Sequence, residues 1–209
     1  MRLTALALAV AAMLLLFSAA AAFAVTAGCV LGEVCYGTRI DDRLTGTNGD
    51  DEILSHGGRD YVNARGGSDI VHGGSGADGD EYTSGGLLGD SPGMSVNSSR
   101  DGDDLIYGGD GRDTLYGFGG SDLLVGGDNT DYIFAEEFRT RLGHPGIARS
   151  TNPGLDTVSA GAGGDHIEAV DGRKDIIVCG GGKDAVWFDE RLDTVSPDCE
   201  FKNIIHSGR

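Results

Sequence analysis

The sequence predicts an all-β fold in which the chain winds as a flattened helix with a parallel sheet on each face. Three observations predict it: a nine-residue repeat, glycine and aspartate at fixed places in the repeat, and an aliphatic residue two places after the aspartate. The repeat is clearest at residues 108–125, which read GGDGRDTLY and GFGGSDLLV. Internal repetition of this kind decides the fold before any single motif does.

Aspartate occupies the sixth place of thirteen such units, which form three runs. The third run contains one step of ten residues, where Ala169 reads as an inserted residue. An aliphatic residue follows two places later in every unit except the one at Asp78, where Asp80 stands instead. The sixth-place aspartates are Asp51, Asp60, Asp69, Asp78, Asp104, Asp113, Asp122, Asp131, Asp156, Asp165, Asp175, Asp184 and Asp193.

Each unit reads as half a coil. Glycine supplies turns with positive φ, and three residues such as those at 114–116 make a short strand with the middle side chain inward. Two units, about eighteen residues, then complete one coil, so that strands stack at roughly 4.7 to 4.9 Å. Two oxygens on opposite sides of a calcium ion span nearly the same distance, since calcium binds oxygen at about 2.3 to 2.6 Å.

The stacked carboxylates explain why an ion is needed. At the spacing of one coil, two neighbouring carboxylates repel by roughly 1 kcal/mol in water and by about 4 kcal/mol at an effective dielectric of 20. A ladder of them without cations pushes itself apart. The sequence therefore predicts that metal binding decides whether the chain folds.

These repeats resemble the GGxGxDxUx nonapeptide of the RTX, or haemolysin-type, calcium-binding proteins. The resemblance covers about residues 46–196. It implies a right-handed parallel β-roll of about eighteen residues per turn that binds several Ca²⁺ ions between stacked coils. The candidate ligands are the aspartates of the first ten units and three turn glycines. They are Asp51, Asp60, Asp69, Asp78, Asp104, Asp113, Asp122, Asp131, Asp156, Asp165, Gly109, Gly111 and Gly120.

The last three sixth-place aspartates stand outside this set. Arg173, Lys174, Lys183 and Arg191 occupy the fourth or fifth places of their units, where they would repel a bound cation. We interpret the last coils as a cap that a disulfide and Trp187 hold more than metal does.

The rest of the chain divides into an amino-terminal signal, two caps and two insertions. Residues 1–24 combine Arg2, an apolar run and a small-residue site, which is typical of a secretory signal peptide. Residues 25–45 and 197–209 are predicted caps, and the roll at 46–196 contains surface insertions at about 79–99 and 135–153. An alternative uses residues 26–29, which look like a bacterial lipoprotein processing site with Cys29 as the lipid acceptor.

The four cysteines predict two disulfides, because an even count in an exported chain favours pairing. Cys29 and Cys35 are close in sequence and would pin a small loop in front of the first coil. Cys179 and Cys199 are twenty residues apart, about one coil, and would staple the last coil.

Charge and motifs narrow the function. With 33 acidic against 16 basic residues and a formal charge of -17, the chain is a poor partner for nucleic acid or anionic membranes, and we expect no membrane span. No histidine lies in an HExxH motif. The one GxSxG match, at 89–93, places Pro92 after Ser91, and proline has no N–H for an oxyanion hole.

The sequence therefore favours a non-enzymatic calcium-binding module that is secreted or lies at the bacterial cell surface. A cell-surface or extracellular protein or glycan is the expected class of further partner. Two alternatives stay open: a small secreted hydrolase with its site in the inserted loops, and a surface-anchored lipoprotein.

Overall fold

A computed structural model describes residues 26–79, 86–90, 102–135 and 154–205. The predicted signal peptide at 1–24 lies outside these residues. The described part of the chain holds strands and no helix. The strands are β1 Thr26–Gly28, β2 Val34–Tyr36, β3 Arg43–Thr45, β4 Glu52–Leu54, β5 Tyr61–Arg65, β6 Ile70–Ser75, β7 Leu87–Asp90, β8 Leu105–Asp110, β9 Thr114–Tyr116, β10 Leu123–Asp128, β11 Tyr132–Phe134, β12 Thr157–Gly163, β13 His166–Ala169, β14 Ile176–Gly182, β15 Ala185–Asp189, β16 Thr194–Val195 and β17 Phe201–Ile205.

The strands alternate between two parallel sheets. The odd-numbered strands form a nine-stranded sheet and the even-numbered strands an eight-stranded sheet, each in chain order. Every strand pairs with the strand two further along the chain, as Leu105 of β8 pairs with Leu123 of β10, eighteen residues later. The predicted β-roll, with unit n lying over unit n+2, is confirmed.

The core is a column of aliphatic side chains between the two sheets. Each is the middle residue of a strand, and strand geometry turns that side chain to one face. Eleven of the twelve predicted inward residues are fully buried, whereas Val195 at the carboxy-terminal end is partly buried. The eleven are Ile53, Val62, Val71, Ile106, Leu115, Leu124, Ile133, Val158, Ile167, Ile177 and Val186.

The sheets extend beyond both predicted ends of the roll, at residues 46 and 196. In the predicted amino-terminal cap, β1 pairs with β3 and β2 pairs with β4. In the predicted carboxy-terminal cap, β17 pairs with β15. These segments lack the glycine-rich turn that marks a unit, yet their backbones continue the hydrogen-bonded ladder.

The prediction that residues 79–99 form only a surface loop is wrong for part of that stretch. Strand β7 lies inside it, and all four of its residues are buried. It pairs with β5 on one side and β9 on the other, so Leu87 takes the inward place that Asp80 leaves without an apolar side chain. The other predicted insertion, at 135–153, lies outside the described residues except for Ala135.

Both predicted disulfides are present. Cys29 pairs with Cys35 and Cys179 with Cys199, with Cα atoms 5.3 and 5.2 Å apart. The second bridge joins strand β14 to the chain just before β17 and so closes the last coil. Among the residues that the structure describes, no helix could span a membrane.

Candidate metal centre

The turns between strands fall into two columns. We call the turns that lead into even-numbered strands the even turns; their sixth-place residues are Asp51, Asp69, Asp104, Asp122, Asp156, Asp175 and Asp193. The odd turns lie on the opposite edge of the roll and contain Asp42, Asp60, Asp78, Asp113, Asp131, Asp165 and Asp184. All ten aspartates predicted as ligands are buried in these two columns.

The buried aspartates hold neighbouring coils together through one carboxylate oxygen. The backbone N–H of each sixth-place aspartate donates to Oδ1 of the aspartate one coil later, as Asp113 does to Asp131 at 2.9 Å. In the even turns Asp104 donates to Asp122 in the same way, also at 2.9 Å. The bond recurs along both columns. These rungs set the spacing between coils, and each is a charge-assisted hydrogen bond when the carboxylate is ionised.

The other oxygen of these carboxylates has no donor. Within the described residues, Oδ2 is buried without a hydrogen-bond partner in Asp69, Asp78, Asp104, Asp113, Asp131, Asp156 and Asp165. A buried anionic oxygen without a partner is costly, and such charges are normally paired or bound to metal. The structure therefore presents two columns of oxygens suited to a cation.

Backbone carbonyl oxygens face the same space in the units whose first place is glycine. A Cβ atom added to Gly108 would lie 2.6 Å from Asp113 Oδ2 and 2.5 Å from the carbonyl oxygen of Gly126 in the next coil. The even turn at Gly117 repeats this arrangement with Asp122 Oδ2 at 2.4 Å and the Ala135 carbonyl at 2.5 Å. Any side chain here would fill the space between carboxylate and carbonyl.

The three glycines predicted as ligands lie in turns and have positive φ. Gly109, Gly111 and Gly120 have φ of 117°, 142° and 109°. At Gly111 an added Cβ would lie 1.5 Å from the carbonyl oxygen of Gly76 in the preceding coil. Only glycine fits there, and its small size lets the carbonyls of successive coils stack closely.

Burial raises the pKa of several sixth-place carboxyls, because desolvation disfavours the charged form. The pKa of Asp113 rises to about 6 and that of Asp131 to about 8. The pKa of Asp104 rises to about 9; burial is again the main cause, and the nearby Asp90 adds to it. The positive charge of a cation beside these groups would offset the cost of desolvation and favour the ionised carboxylates.

The donor set is all oxygen. Among the described residues no group of three or more His, Cys, Asp or Glu side chains is placed to hold a metal ion. An ion in these turns would therefore take one or two carboxylates and fill its shell with backbone carbonyls and water. Calcium accepts this mixture of six to eight oxygen ligands, whereas zinc prefers nitrogen and sulfur.

Sequence reasoning missed four buried carboxylates in these columns, Asp42, Asp90, Asp171 and Asp189. Asp42 precedes the first predicted unit, yet it is buried, and its N–H donates to Asp60 Oδ1 at 2.8 Å; Leu44, two places later, would have revealed it. Asp90 ends β7 and is 4% exposed beside Asp104. No signal in the nine-residue phase marks Asp90, since it follows an interruption in the repeat.

The even turns add a second ladder at the fifth place. Ser121 N–H donates to Asp103 Oδ1 at 2.7 Å, and Leu155 N–H donates to Ser121 Oγ at 3.1 Å. Here the N–H of the later coil donates to the earlier one, opposite to the sixth-place rungs. In the described odd turns this ladder has one rung, from Arg59 N–H to Asp41 Oδ1. The fifth-place side chains of the next three coils, Arg59, Ala77 and Arg112, have no acceptor atom.

Stacked coils with paired columns of carboxylates and carbonyls define a cation-binding β-roll. Comparison with protein families matches the RTX calcium-binding nonapeptide repeat, in four copies, at residues 36–71, 45–79 and 99–133. The chain therefore contains RTX calcium-binding repeats, as the sequence predicted. No curated protein and no solved structure matches the chain. The ligand role of each aspartate and glycine stays a prediction.

Proposed function

We propose that the protein is a secreted module whose β-roll folds when calcium binds and which acts outside the cell as a structural or interaction element. The observation that supports this most is the column of buried Oδ2 atoms that lack hydrogen-bond donors. A carboxylate placed this way is unfavourable unless a proton or a cation compensates it. At neutral pH, calcium is the compensating ion that oxygen-only turns favour.

Each ion would be held by residues of neighbouring coils. In the odd turns the candidates are Asp113 Oδ2 and the carbonyl of Gly126, which face the same space at Gly108. In the even turns they are Asp122 Oδ2 and the carbonyl of Ala135. Calcium would supply positive charge between stacked carboxylates. The protein would supply the register, through the rungs from each aspartate N–H to the next coil.

An extracellular site of action agrees with the covalent structure. Two disulfides in a chain of this size are typical of an oxidising compartment. The predicted signal peptide at 1–24 would direct the chain there, and residues 26–29 leave lipid attachment at Cys29 as the alternative. Cys29 is paired with Cys35 in the structure, which favours the disulfide.

The hydrolase alternative depends on the GxSxG match at 89–93. Its first two residues, Gly89 and Asp90, are buried at the end of β7, and the rest lies outside the described residues. A buried aspartate beside Asp104 fits a structural role in the turn. RTX repeats are calcium-binding elements and not catalytic ones, so we place the function in the turns.

Circular dichroism of the mature protein tests calcium-dependent folding. In chelator we expect a largely unfolded spectrum, and millimolar calcium should restore the β signal. Magnesium should substitute poorly, because it demands a smaller octahedral site and sheds water reluctantly. A spectrum that is the same in chelator and in calcium would contradict the proposal.

A pair of variants tests the ladder itself. Asp113→Asn keeps the shape of a buried sixth-place side chain and removes its charge, so calorimetric titration should show weaker binding and fewer ions. Asp110→Asn is the matched control, since Asp110 is exposed at the third place of the same turn. Equal losses in the two variants would show that general surface charge, and not the buried column, binds the ions.

A further inference from the structure

The carboxy-terminal even turns hold more carboxylates than the repeat supplies. Besides the sixth-place Asp175 and Asp193, they contain Asp171 and Asp189 at the second place, where the repeat has no aspartate. Asp189 ends β15, and Asp171 follows β13 after the ten-residue step. Asp171, Asp175 and Asp189 are buried. These turns lie beyond residue 133, where the match to the RTX repeat ends.

One carboxylate ties this cluster together. Asp193 accepts the backbone N–H of Asp175 at 3.0 Å through Oδ1 and that of Asp189 at 2.6 Å through Oδ2. Asp189 Oδ2 in turn accepts Gly172 N–H at 2.8 Å. Both oxygens of Asp193 are thus used for hydrogen bonds, and they bring Asp175 and Asp189 into the same turn region.

Asp175 and Asp189 each keep one carboxylate oxygen that no hydrogen bond uses. In the fully described segment 154–205, Asp175 Oδ2 and Asp189 Oδ1 are buried and have no hydrogen-bond partner. Their residues are 0% and 2% exposed, so water does not compensate them. Each side chain has its other oxygen fixed by a backbone N–H, from Asp156 to Asp175 and from Gly172 to Asp189. The two free oxygens cannot turn away without breaking those bonds.

The basic residues of these turns do not compensate the buried oxygens. Arg173, Lys174 and Arg191 are exposed. The charge of Arg173 acts on Asp171 and lowers the pKa of Asp171 in part, whereas no basic charge contributes to the pKa of Asp175. Burial raises the pKa of Asp175 to about 7, and the charges of Asp171, Asp193 and Asp189 add to the rise.

We propose that Asp175 and Asp189 bind a hard divalent cation of the calcium class in the last even turns. Asp171 and Asp193 act as supporting residues: they add negative charge, and Asp193 holds the backbones of both ligands. Two direct carboxylates agree with the absence of a converging group of three in the described residues, and backbone carbonyls and water would complete the shell. The site requires Asp189, which the repeat does not supply.

This site would close the last coil on the edge opposite to a disulfide. Cys179–Cys199 closes the odd edge, whereas β16, at the even edge, is a strand of two residues. A cation between Asp175 and Asp189 would join the turn before β14 to the turn before β16. The proposal stands apart from calcium binding by the earlier coils, because its ligands lie outside the matched repeats.

Counting ions on variants of the full mature chain tests the site. Native mass spectrometry in calcium should find one ion fewer on Asp189→Asn than on the wild-type protein. Glu190→Gln is the matched control, with the same charge change at the next, exposed residue, and it should keep the full count. Asp175→Asn should lose the same ion, so the double variant Asp175→Asn/Asp189→Asn should lose no more than either single variant.

Terbium luminescence gives a local readout. Trp187, the only tryptophan, lies two residues before Asp189, so excitation of Trp187 should sensitise Tb³⁺ bound in this turn, and calcium should compete. Asp189→Asn should lose about half or more of that emission, and Glu190→Gln should keep it.

Two outcomes would overturn the inference. The first is no tryptophan-sensitised emission from the wild-type protein, a result that does not depend on any variant folding. The second is an unchanged ion count and emission in Asp189→Asn. If the wild-type protein binds calcium in the earlier coils but not at Asp175 and Asp189, the proposed function holds and only this inference is wrong. If it binds no calcium at all, both proposals are wrong.

Discussion

The odd and even turns of the roll both present oxygen atoms to a cation, but they differ in how many of these come from the backbone and how many from side chains. In the odd turns the even-numbered strands continue into the turn, so that Gly74, Gly109, Gly127, Gly161 and Gly180 stand in one register. The even turns are less regular, because the odd-numbered strands β9 and β11 have three residues each and end before the turn, whereas β8 and β10 have six. They instead hold additional buried aspartates at Asp90, Asp171 and Asp189.

The difference shows how backbone and side chains can substitute for each other. A regular backbone stacks carbonyl oxygens at the coil spacing, and one carboxylate per unit then suffices. At Asp171 and Asp189, further carboxylates supply oxygens in turns whose first place is not glycine. We therefore expect the odd turns to be sensitive to backbone changes and the even turns to charge changes.

The largest expected effect is steric. Gly111→Ala in an odd turn should destabilise the calcium-loaded protein by more than about 4 kcal/mol, at the exceptional end of single substitutions, because its Cβ would collide with the Gly76 carbonyl. Gly172→Ala in an even turn has no atom within 4 Å of the added Cβ and should cost only the left-handed strain, about 1 to 2 kcal/mol. Denaturant unfolding in saturating calcium measures both, and similar losses would remove the distinction between the columns.

The next effect concerns the two edges of the last coil. Replacing Cys179 and Cys199 by serine should destabilise the protein by about 3 kcal/mol, the chain-entropy value for a loop of this length. The loss should be larger in chelator, when the even edge has no ion. Trp187 fluorescence should then change before the far-ultraviolet signal as denaturant is added. Simultaneous changes would show that the last coil does not open separately.

A smaller effect is expected from charge in the calcium-free protein. A carboxyl whose pKa is raised in the folded state is protonated at low pH and then does not destabilise the fold. The folded protein loses stability as the pH rises from the ordinary pKa of the carboxyl to its folded pKa. For Asp104, with a pKa raised to about 9, the penalty accumulates from about pH 4 to 9. For Asp165, raised to about 6, it stops growing near pH 6.

Asparagine imitates the protonated form, so Asp104→Asn should stabilise the calcium-free protein at pH 8 by at least about 1 kcal/mol, the value of one pKa unit. Asp165→Asn, in an odd turn, should help less. The β signal that each protein retains in chelator at pH 5 and pH 8, followed by circular dichroism, measures the difference. In saturating calcium both variants should instead be less stable than the wild-type protein. A larger gain from Asp165→Asn would contradict the assignment of the more strained charge to the even turn.

The smallest effect concerns the fifth-place ladder. Ser121→Ala removes the acceptor of Leu155 N–H in an even turn and should cost about 0.5 to 1.5 kcal/mol, the net value of one hydrogen bond. Thr130→Ala at the fifth place of an odd turn should cost less. Thermal unfolding in calcium resolves the two, and a larger loss at Thr130 would show that the outer ladder does not belong to the even edge.

The regular part of this architecture could be predicted from the sequence because one rule repeats. A nine-residue phase determines which aspartate faces inward and which strand lies above which, and the spacing of Cys179 and Cys199 follows from the same coil length. The strand at Leu87–Asp90 could not be predicted, because the residues before it are out of phase and only pairing with β5 and β9 reveals its place.

The buried aspartates of the carboxy-terminal turns could not be predicted either, because the repeat pattern does not mark them. The basic residues there suggested a metal-poor cap, but their side chains are exposed while Asp175 and Asp189 are buried. Sequence spacing gives the place of a residue in a turn and not the direction of a long side chain. Asp189 was missed because it occupies the second place, where other even turns have Thr47 or Phe118.

The alternation of strands between two sheets also constrains how such a gene can change length. Val34, Glu52 and Ile70 lie in register at intervals of eighteen residues, so losing or duplicating eighteen codons leaves every later strand in its own sheet. A change of nine codons would send each later strand to the opposite sheet and exchange the outward-facing residues of the two surfaces. The evolutionary unit of this protein is therefore the pair of nonapeptides, although the visible repeat is half as long.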